Sequence, residues 1–326
     1  MKFGYIKSPD DHRDWMYRSI FGKVALPEKH LPDRLPVRDQ GTYGTCVGFA
    51  GAYIKQAQER VNHPGKNYTF SPTYLYTECK KIDGIAQEGT TLRDAYKIMS
   101  KQGVCREQLM PYSLMGKQLP NVSQEAHADA KRFMVDKGYA RLMSLEDIKQ
   151  ALLQSPVMIG VLVTESFAYP ENGHVYVLPN GRWLGGHGMC ADGYDDNREY
   201  TYRDGRKTKG FLRVVNSWGK EVGDEGYWWI PYEYINFRDP DIGMPYFQEA
   251  FVGLDILMPN TYAQKVELWL NSTRAVIDGE EIQLEQPPTL EPATERTLLP
   301  VRFLSEVFGY KVEWNAVEKK ITITKP

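Results

Sequence analysis

Three side chains of the 326-residue chain could be joined into a nucleophilic device: Cys46, His187 and Asn216. Cys46 opens a run in which Val47, Ala50, Ile54 and Ala57 recur at steps of three and four, the spacing of a helix. A thiol at the amino end of a helix meets unpaired N–H groups and the positive end of the dipole. Both favour thiolate, the nucleophilic form. Alone, this signal does not separate a nucleophile from inert packing. His187 lies in Gly185-Gly186-His187-Gly188, a setting that leaves the imidazole accessible on at least one side. The other five histidines, at 12, 30, 63, 127 and 174, stand in polar or loop-like contexts. Asn216 ends the apolar run Val214-Val215, where it could accept an imidazole N–H and set the tautomer facing a thiolate, or simply form a strand-end turn.

The elements that must position these residues are legible as patterns. Thr91 to Gln102 reads as a helix stopped by Gly103, and Leu145 to Leu153 as one opened by Ser144 with Asp147 three residues on. Strand-like runs follow at 157–163, 187–194, 210–215, 226–230 and 251–256, separated by Gly and Asp turns. Helices first and antiparallel strands afterwards predict an α+β domain. The first forty-odd residues, rich in Pro, Asp and Arg, read as an extended arm over a larger body, residues 1–33 being the arm of a domain that spans 1–258.

A smaller unit follows a boundary at Pro259-Asn260-Thr261. Val266 to Leu270 and Ala275 to Leu284 read as strands with Asp278-Gly279 as a hairpin turn. A Pro-rich connection from Gln286 to Pro292 leads to an apolar helix near Pro300, and strands at 311–314 and 321–324 close the chain.

Bulk properties narrow the classes. The chain is 42% hydrophobic and 25% charged with a net charge of −2, so no basic face is offered to nucleic acid or an anionic membrane. The four cysteines, at 46, 79, 105 and 190, are spaced for neither a zinc site nor a disulfide scaffold, and a Cys79–Cys105 pairing stays open. No metal or other cofactor is expected. The opening residues lack the apolar run of a secretory signal, and no stretch is apolar enough to span a bilayer. The expected location is cytoplasmic or phage-associated, or the cell surface if a leader has been removed.

The order Cys46, His187, Asn216, with His and Asn about 130–150 or more residues beyond the cysteine, is that of papain-like cysteine peptidases. Residues 30 to 257 resemble that family in several further places. Gln40, six residues before Cys46, matches the glutamine that helps form the family's oxyanion hole. Asn216-Ser217-Trp218-Gly219 matches its asparagine block, in which the tryptophan shields the His–Asn hydrogen bond. Gly223, Gly226 and Trp228 match the pattern that follows, and Phe70-Ser71-Pro72 with Tyr74-Leu75-Tyr76 the helix after the one that bears the nucleophile.

The resemblance implies a papain-like fold, a helical lobe beside an antiparallel barrel-like lobe, that cleaves peptide bonds in protein or peptide substrates. It implies Cys46, His187, Asn216 and Gln40 as catalytic residues. It implies Gly89, Thr90, Glu88, Gly186 and Trp218 as substrate-binding ones, with Gly89 in the place of a glycine that pairs with extended substrate and Thr90 narrowing the cleft. Tyr43 and Val47 depart from the family, which has cysteine and an aromatic residue there.

Residues 259 to 326 resemble the copper amine oxidase N-terminal-like module, most specifically in Arg296 to Phe303. They contain no His or Cys, so the resemblance implies a non-catalytic appendage with a role in attachment or substrate presentation. The alternatives are an acyl-transferring or wall-cleaving thiol enzyme and an idle adhesion or assembly protein. Asn216 argues against the first, and the intact Cys, His and Gln against the second.

Overall fold

The computed structural model describes residues 2–11, 15–16, 25–63, 65–135, 138–239, 243–254, 266–277, 280–284, 286–291, 294, 296–307, 311–315 and 319–324. It divides into two compact units: Met1–Asp14 with Leu26–Ile256, and Trp15–Ala25 with Leu257–Pro326. The expected boundary at 259–261 and the Asp278-Gly279 turn lie outside the described residues.

In the first unit, helix α1 (Cys46–Asn62) is buried along most of its length. Its neighbours are α2 (Pro72–Ile82) and α3 (Leu92–Lys101). Both neighbours start with side-chain caps: Ser71 accepts from the Tyr74 N–H and Thr91 from the Asp94 N–H, each filling an orphan donor of the first turn. Gly103, at a φ of +80°, follows α3 as its sequence predicted. Thr45 does not cap α1. Its hydroxyl bonds the Tyr112 hydroxyl at 2.7 Å instead, so the first N–H groups of α1 have no side-chain cap.

The other lobe is an antiparallel sheet. Its strands are β1 (Lys29–His30), β2 (Tyr139–Leu142), β3 (Val157–Thr164), β4 (Trp183–Thr201), β5 (Lys207–Val215), β6 (Tyr227–Pro231) and β7 (Phe247–Gly253). They run in the order β2–β7–β3–β4–β5–β6, with β1 pairing on β4. Several bounds differ from expectation. β4 is much longer than 187–194, and β7 starts at Phe247, since the buried Glu249 finds partners that let the strand pass through a charged residue.

The lobes meet where α1 begins. A Cβ on Gly188 of β4 would stand 2.9 Å from Val47 Cγ2, so only a glycine lets the helix start rest on that strand. The β4–β5 register, Cys190 opposite Val215, then sets His187 near the end of β5, where Asn216 follows. A buried fork holds this register: Arg213 donates to both oxygens of Asp192, at 2.8 and 2.9 Å, and to the Pro32 carbonyl.

The second unit has β8 (Val266–Leu268), β9 (Arg274–Ile277) and β10 (Glu280–Gln283) in one antiparallel sheet, a ladder of β11 (Thr289–Glu291) with β12 (Arg296–Leu298), helix α4 (Val301–Val307), and a ladder of β13 (Lys311–Asn315) with β14 (Lys320–Thr324). The Pro-rich connection thus carries a short strand, with Pro287 and Pro288 placed just before its first ladder residue, Thr289.

Asp192→Ala is expected to cost about 3–5 kcal/mol, because it strands a buried guanidinium. Chemical denaturation checks this, and a loss under about 1 kcal/mol would contradict the pinning role.

Candidate active site

The backbone first sets the polar groups in place. Asp39 bridges Trp218, the Gln40 N–H donates to the Ser217 carbonyl at 2.8 Å, and the Asn216 N–H donates to Gly226 at 3.1 Å. The loop before α1 and the end of β5 are therefore one joined platform.

Its side chains are ordered by donor and acceptor logic. Asn216 Oδ1 accepts the Ser217 backbone N–H at 2.8 Å, so that atom is an acceptor. His187 Nε2, at 2.7 Å from the same oxygen, is then the donor, and the ring's acceptor is Nδ1. Nδ1 is buried without a hydrogen-bond partner among the described residues. Trp218 stacks over the imidazole, with ring centroids 4.5 Å apart, and keeps water from the His187–Asn216 bond. Gln40 is oriented in the same manner: its Oε1 accepts the Ser217 hydroxyl at 2.6 Å, which turns Nε2 outward as a donor. Cys46 Sγ lies 3.4 Å from the Gly188 backbone N–H, one residue beyond His187.

The cleft is filled by the chain's own residues 2 to 10. Gln40 Nε2 donates to the Lys2 carbonyl at 3.0 Å and to the Tyr43 carbonyl at 2.8 Å. The Gly4 N–H faces the Cys46 sulfur. Thr90 pairs with the segment in parallel, giving its N–H to Gly4 at 2.9 Å and accepting from Ile6 at 3.0 Å, while Tyr5 donates to the Gly186 carbonyl at 3.1 Å. Phe3 packs edge-on against both His187 and Trp218. Tyr5 sits in a pocket whose walls are Gly160 and Gly186, and its hydroxyl is buried beside the Glu249 carboxylate outside hydrogen-bond geometry. Glu249 Oε1 accepts both the backbone N–H and the hydroxyl of Ser8.

Several expectations change. His187 is fully buried rather than accessible, because Phe3 and Tyr5 take the room its flanking glycines leave. His174, in a loop as expected, is buried and stacks on Tyr200 at 3.9 Å. Gly89 does not pair with the extended segment. Its N–H goes to the Tyr76 hydroxyl and its carbonyl to Lys80, and the pairing falls to Thr90. Glu88 forms a half-exposed ion pair with Lys2. All four cysteines are buried free thiols. Glu249 is a part of the site that the sequence patterns do not point to. The one available signal was an acid, Glu249, inside an apolar strand.

Burial dominates the electrostatics. It pushes the Cys46 thiol up to about 11, against the pull of the Gly188 and Gly4 N–H groups, and it pushes His187 down to about 4 despite the Asn216 bond. The helix-start effect on Cys46 is outweighed, and near neutrality the pair is thiol and neutral imidazole. Because the folded value of His187 lies below 6.5, its neutral burial favours the closed site above that pH. That contribution is lost as pH falls towards about 4.

Comparison with known proteins places this geometry. The sequence profile of the papain family of cysteine proteases matches residues 31–237, and that of the copper amine oxidase N-terminal domain matches residues 259–325. An uncharacterized peptidase C1-like protein of Acanthamoeba polyphaga mimivirus is 30% identical over 269 residues, covering 72% of this chain and 82% of that protein. Cathepsin S of Bos taurus is 27% identical over 215 residues, 62% of this chain and 60% of its own length. The crystal structure of Xylellain, a cysteine protease from Xylella fastidiosa, superposes with a TM-score of 0.63 at 28% identity, covering 78% of this chain and 96% of that one. The chain belongs to the papain family of cysteine proteases. Its fold is papain-like α+β with a small appendage, and its activity is that of a cysteine peptidase acting on proteins or peptides. Among the described residues no helix is long and apolar enough to cross a membrane, and no cluster of His, Cys, Asp or Glu could hold a metal ion.

A difference titration of thiolate absorbance, wild type minus Cys46→Ala, is expected to show its step near pH 11. A step below pH 7 would mean a preformed ion pair and contradict the burial argument.

Proposed function

We propose that Cys46 is the nucleophile of peptide-bond hydrolysis, with His187 as base and acid, Asn216 as orienting partner and Gln40 as oxyanion donor. The observation that carries this reading is the 2.7 Å bond from His187 Nε2 to Asn216 Oδ1 beneath Trp218, which leaves Nδ1 as the free base. Once the cleft is vacated, Nδ1 takes the Cys46 proton. The sulfur attacks the carbonyl carbon, and the oxyanion is held by Gln40 Nε2 and the Cys46 backbone N–H. The C–N bond then breaks as Nδ1 returns the proton to the leaving amine. Water, deprotonated by Nδ1, opens the thioester, and the thiol leaves reprotonated.

Action within chains is favoured by the cleft's extent. It holds backbone on both sides of the sulfur, Lys2 and Phe3 toward Trp218 and Tyr5 to Ser8 toward Glu249. The pocket that Tyr5 fills combines apolar walls with a buried carboxylate, so it suits a side chain that is long or planar and ends in a donor. We assign residues 259–325 an attachment or presentation role on the strength of their module match.

In peptide turnover, Cys46→Ala is expected to abolish activity and His187→Ala nearly so, with Asn216→Ala retaining more than either. Gln40→Ala should lower kcat by about 10²–10³. Equal, total loss in Cys46→Ala, His187→Ala and Asn216→Ala, with folding intact, would contradict the orienting role of Asn216. Across a peptide library, substrates that place Arg, Lys or Tyr in the Glu249 pocket should exceed their Leu counterparts about tenfold in kcat/KM. Glu249→Ala should erase that preference, and its persistence would rule Glu249 out as the selecting group.

A further inference from the structure

We propose that Tyr112 is a positioning residue of the oxyanion site: its hydroxyl ties together the two chain segments that carry the Gln40 amide and the Cys46 backbone N–H. The inference rests on the peptidase reading and adds a residue that serves that same site without touching substrate.

Three observations carry it. First, one hydroxyl reaches both segments. Tyr112 Oη donates to the backbone carbonyl of Gln40 at 2.7 Å and stands 2.7 Å from the Thr45 hydroxyl. A phenol has one proton and a carbonyl can only accept, so that proton goes to Gln40 and Thr45 is the donor to Tyr112. The bonds therefore run in one direction, from Thr45 through Tyr112 to Gln40. Thr45 directly precedes Cys46, so the peptide unit it begins is the one that bears the Cys46 N–H.

Second, the same bond accounts for the uncapped start of α1. A threonine in that place ordinarily turns its hydroxyl on the N–H groups of the first turn. Here the hydroxyl is committed to Tyr112 and makes no cap. The first turn thereby keeps its unpaired N–H groups, and with them the positive end of the helix dipole, beside the sulfur.

Third, the tie leaves the working atoms free and is itself well held. An exposed turn separates the two segments, Gly41 and Thr42, with Gly41 at a φ of +58°. Within it Gln40 Nε2 donates to the Tyr43 carbonyl at 2.8 Å, but that bond uses one of the amide's own N–H groups. Tyr112 takes the main-chain carbonyl instead. Its ring packs edge-on against Phe49 at 4.7 Å, its backbone N–H donates to Glu107 at 2.8 Å, and Glu107 pairs with Arg38, close before Gln40. Burial pushes the phenol up to about 12, which keeps it protonated, and so a donor, near neutrality.

Tyr112→Phe removes the hydroxyl and keeps the ring on Phe49. Thr45→Val removes the donor to that hydroxyl in nearly the same volume. Tyr176→Phe, which takes a hydroxyl from an exposed pair with Asp204, is the control. Each is made in the full chain, alone and with Gln40→Ala, and assayed for peptide turnover at saturation. Alkylation of Cys46 by iodoacetamide, mapped against Cys46→Ala, is followed in parallel. In that reaction the sulfur displaces iodide and no oxyanion forms, so it reports the Cys46–His187 pair and not the oxyanion site.

Tyr112→Phe is expected to lower kcat about tenfold with KM within about twofold, and to leave alkylation at the wild-type rate. Tyr176→Phe should change neither. In the Gln40→Ala background Tyr112→Phe should cost no more than about twofold, since no second donor is then left to place. Thr45→Val should match Tyr112→Phe, and the two together should be no worse than either. A kcat unchanged by both substitutions, a loss that multiplies fully with that of Gln40→Ala, or a parallel fall in alkylation would overturn the positioning role. Turnover that survives Cys46→Ala would sink the peptidase reading, and the role of Tyr112 with it.

Discussion

The hydrogen bond from His187 Nε2 to Asn216 Oδ1 is the constraint around which the rest of the first unit is arranged. It works only if Asn216 cannot flip and the ring cannot turn. The Ser217 N–H removes the first freedom by donating to Asn216 Oδ1, and Trp218 removes the second by stacking on the ring. Holding the two residues opposite each other is in turn a matter of strand register. The bulged β4–β5 ladder carries His187 on one strand and ends the other just before Asn216, and the buried Asp192–Arg213 fork keeps it from slipping. Ser217 then extends the order to Gln40, so the Gln40 amide and the imidazole are set by one connected platform rather than by two independent loops.

A second physical theme is the cost of desolvation. With Phe3 against the imidazole and Gly4 over the sulfur, thiol and imidazole are both neutral, since neither charged form is hydrated. The N–H groups of Gly188, Gly4 and Val47 pull the thiol towards ionisation, and burial overrides them. Hydration of the two groups would lower that cost and favour their charged forms. The same segment thus covers the two groups and keeps them dry.

Much of this was legible in the sequence wherever a local rule held. The cap at Ser144, the stop at Gly103 and the apolar run of β3 follow from short-range chemistry, and the helix after Ser71 and the Asn216-Ser217-Trp218 block from family resemblance. Other features depend on pairings between distant residues. Nothing near Tyr5 announces that it meets Gly160 and Gly186, and nothing near Glu249 announces Ser8. The glycines around His187 were readable as open space, yet what fills that space is set by a segment more than a hundred residues earlier. Gly89 shows the same dependence on distant partners, since Tyr76 and Lys80 hold its backbone groups.

The central claim is that His187 is held neutral with its proton on Nε2, donated to Asn216. Nitrogen-15 NMR of the histidine-labelled full chain, with His187 assigned among the six histidines by loss of its signal in His187→Ala, reads that tautomer directly. At neutral pH the account predicts a neutral ring with a protonated Nε2 and a bare Nδ1. A proton on Nδ1 instead, or an imidazolium in the intact chain, would contradict it.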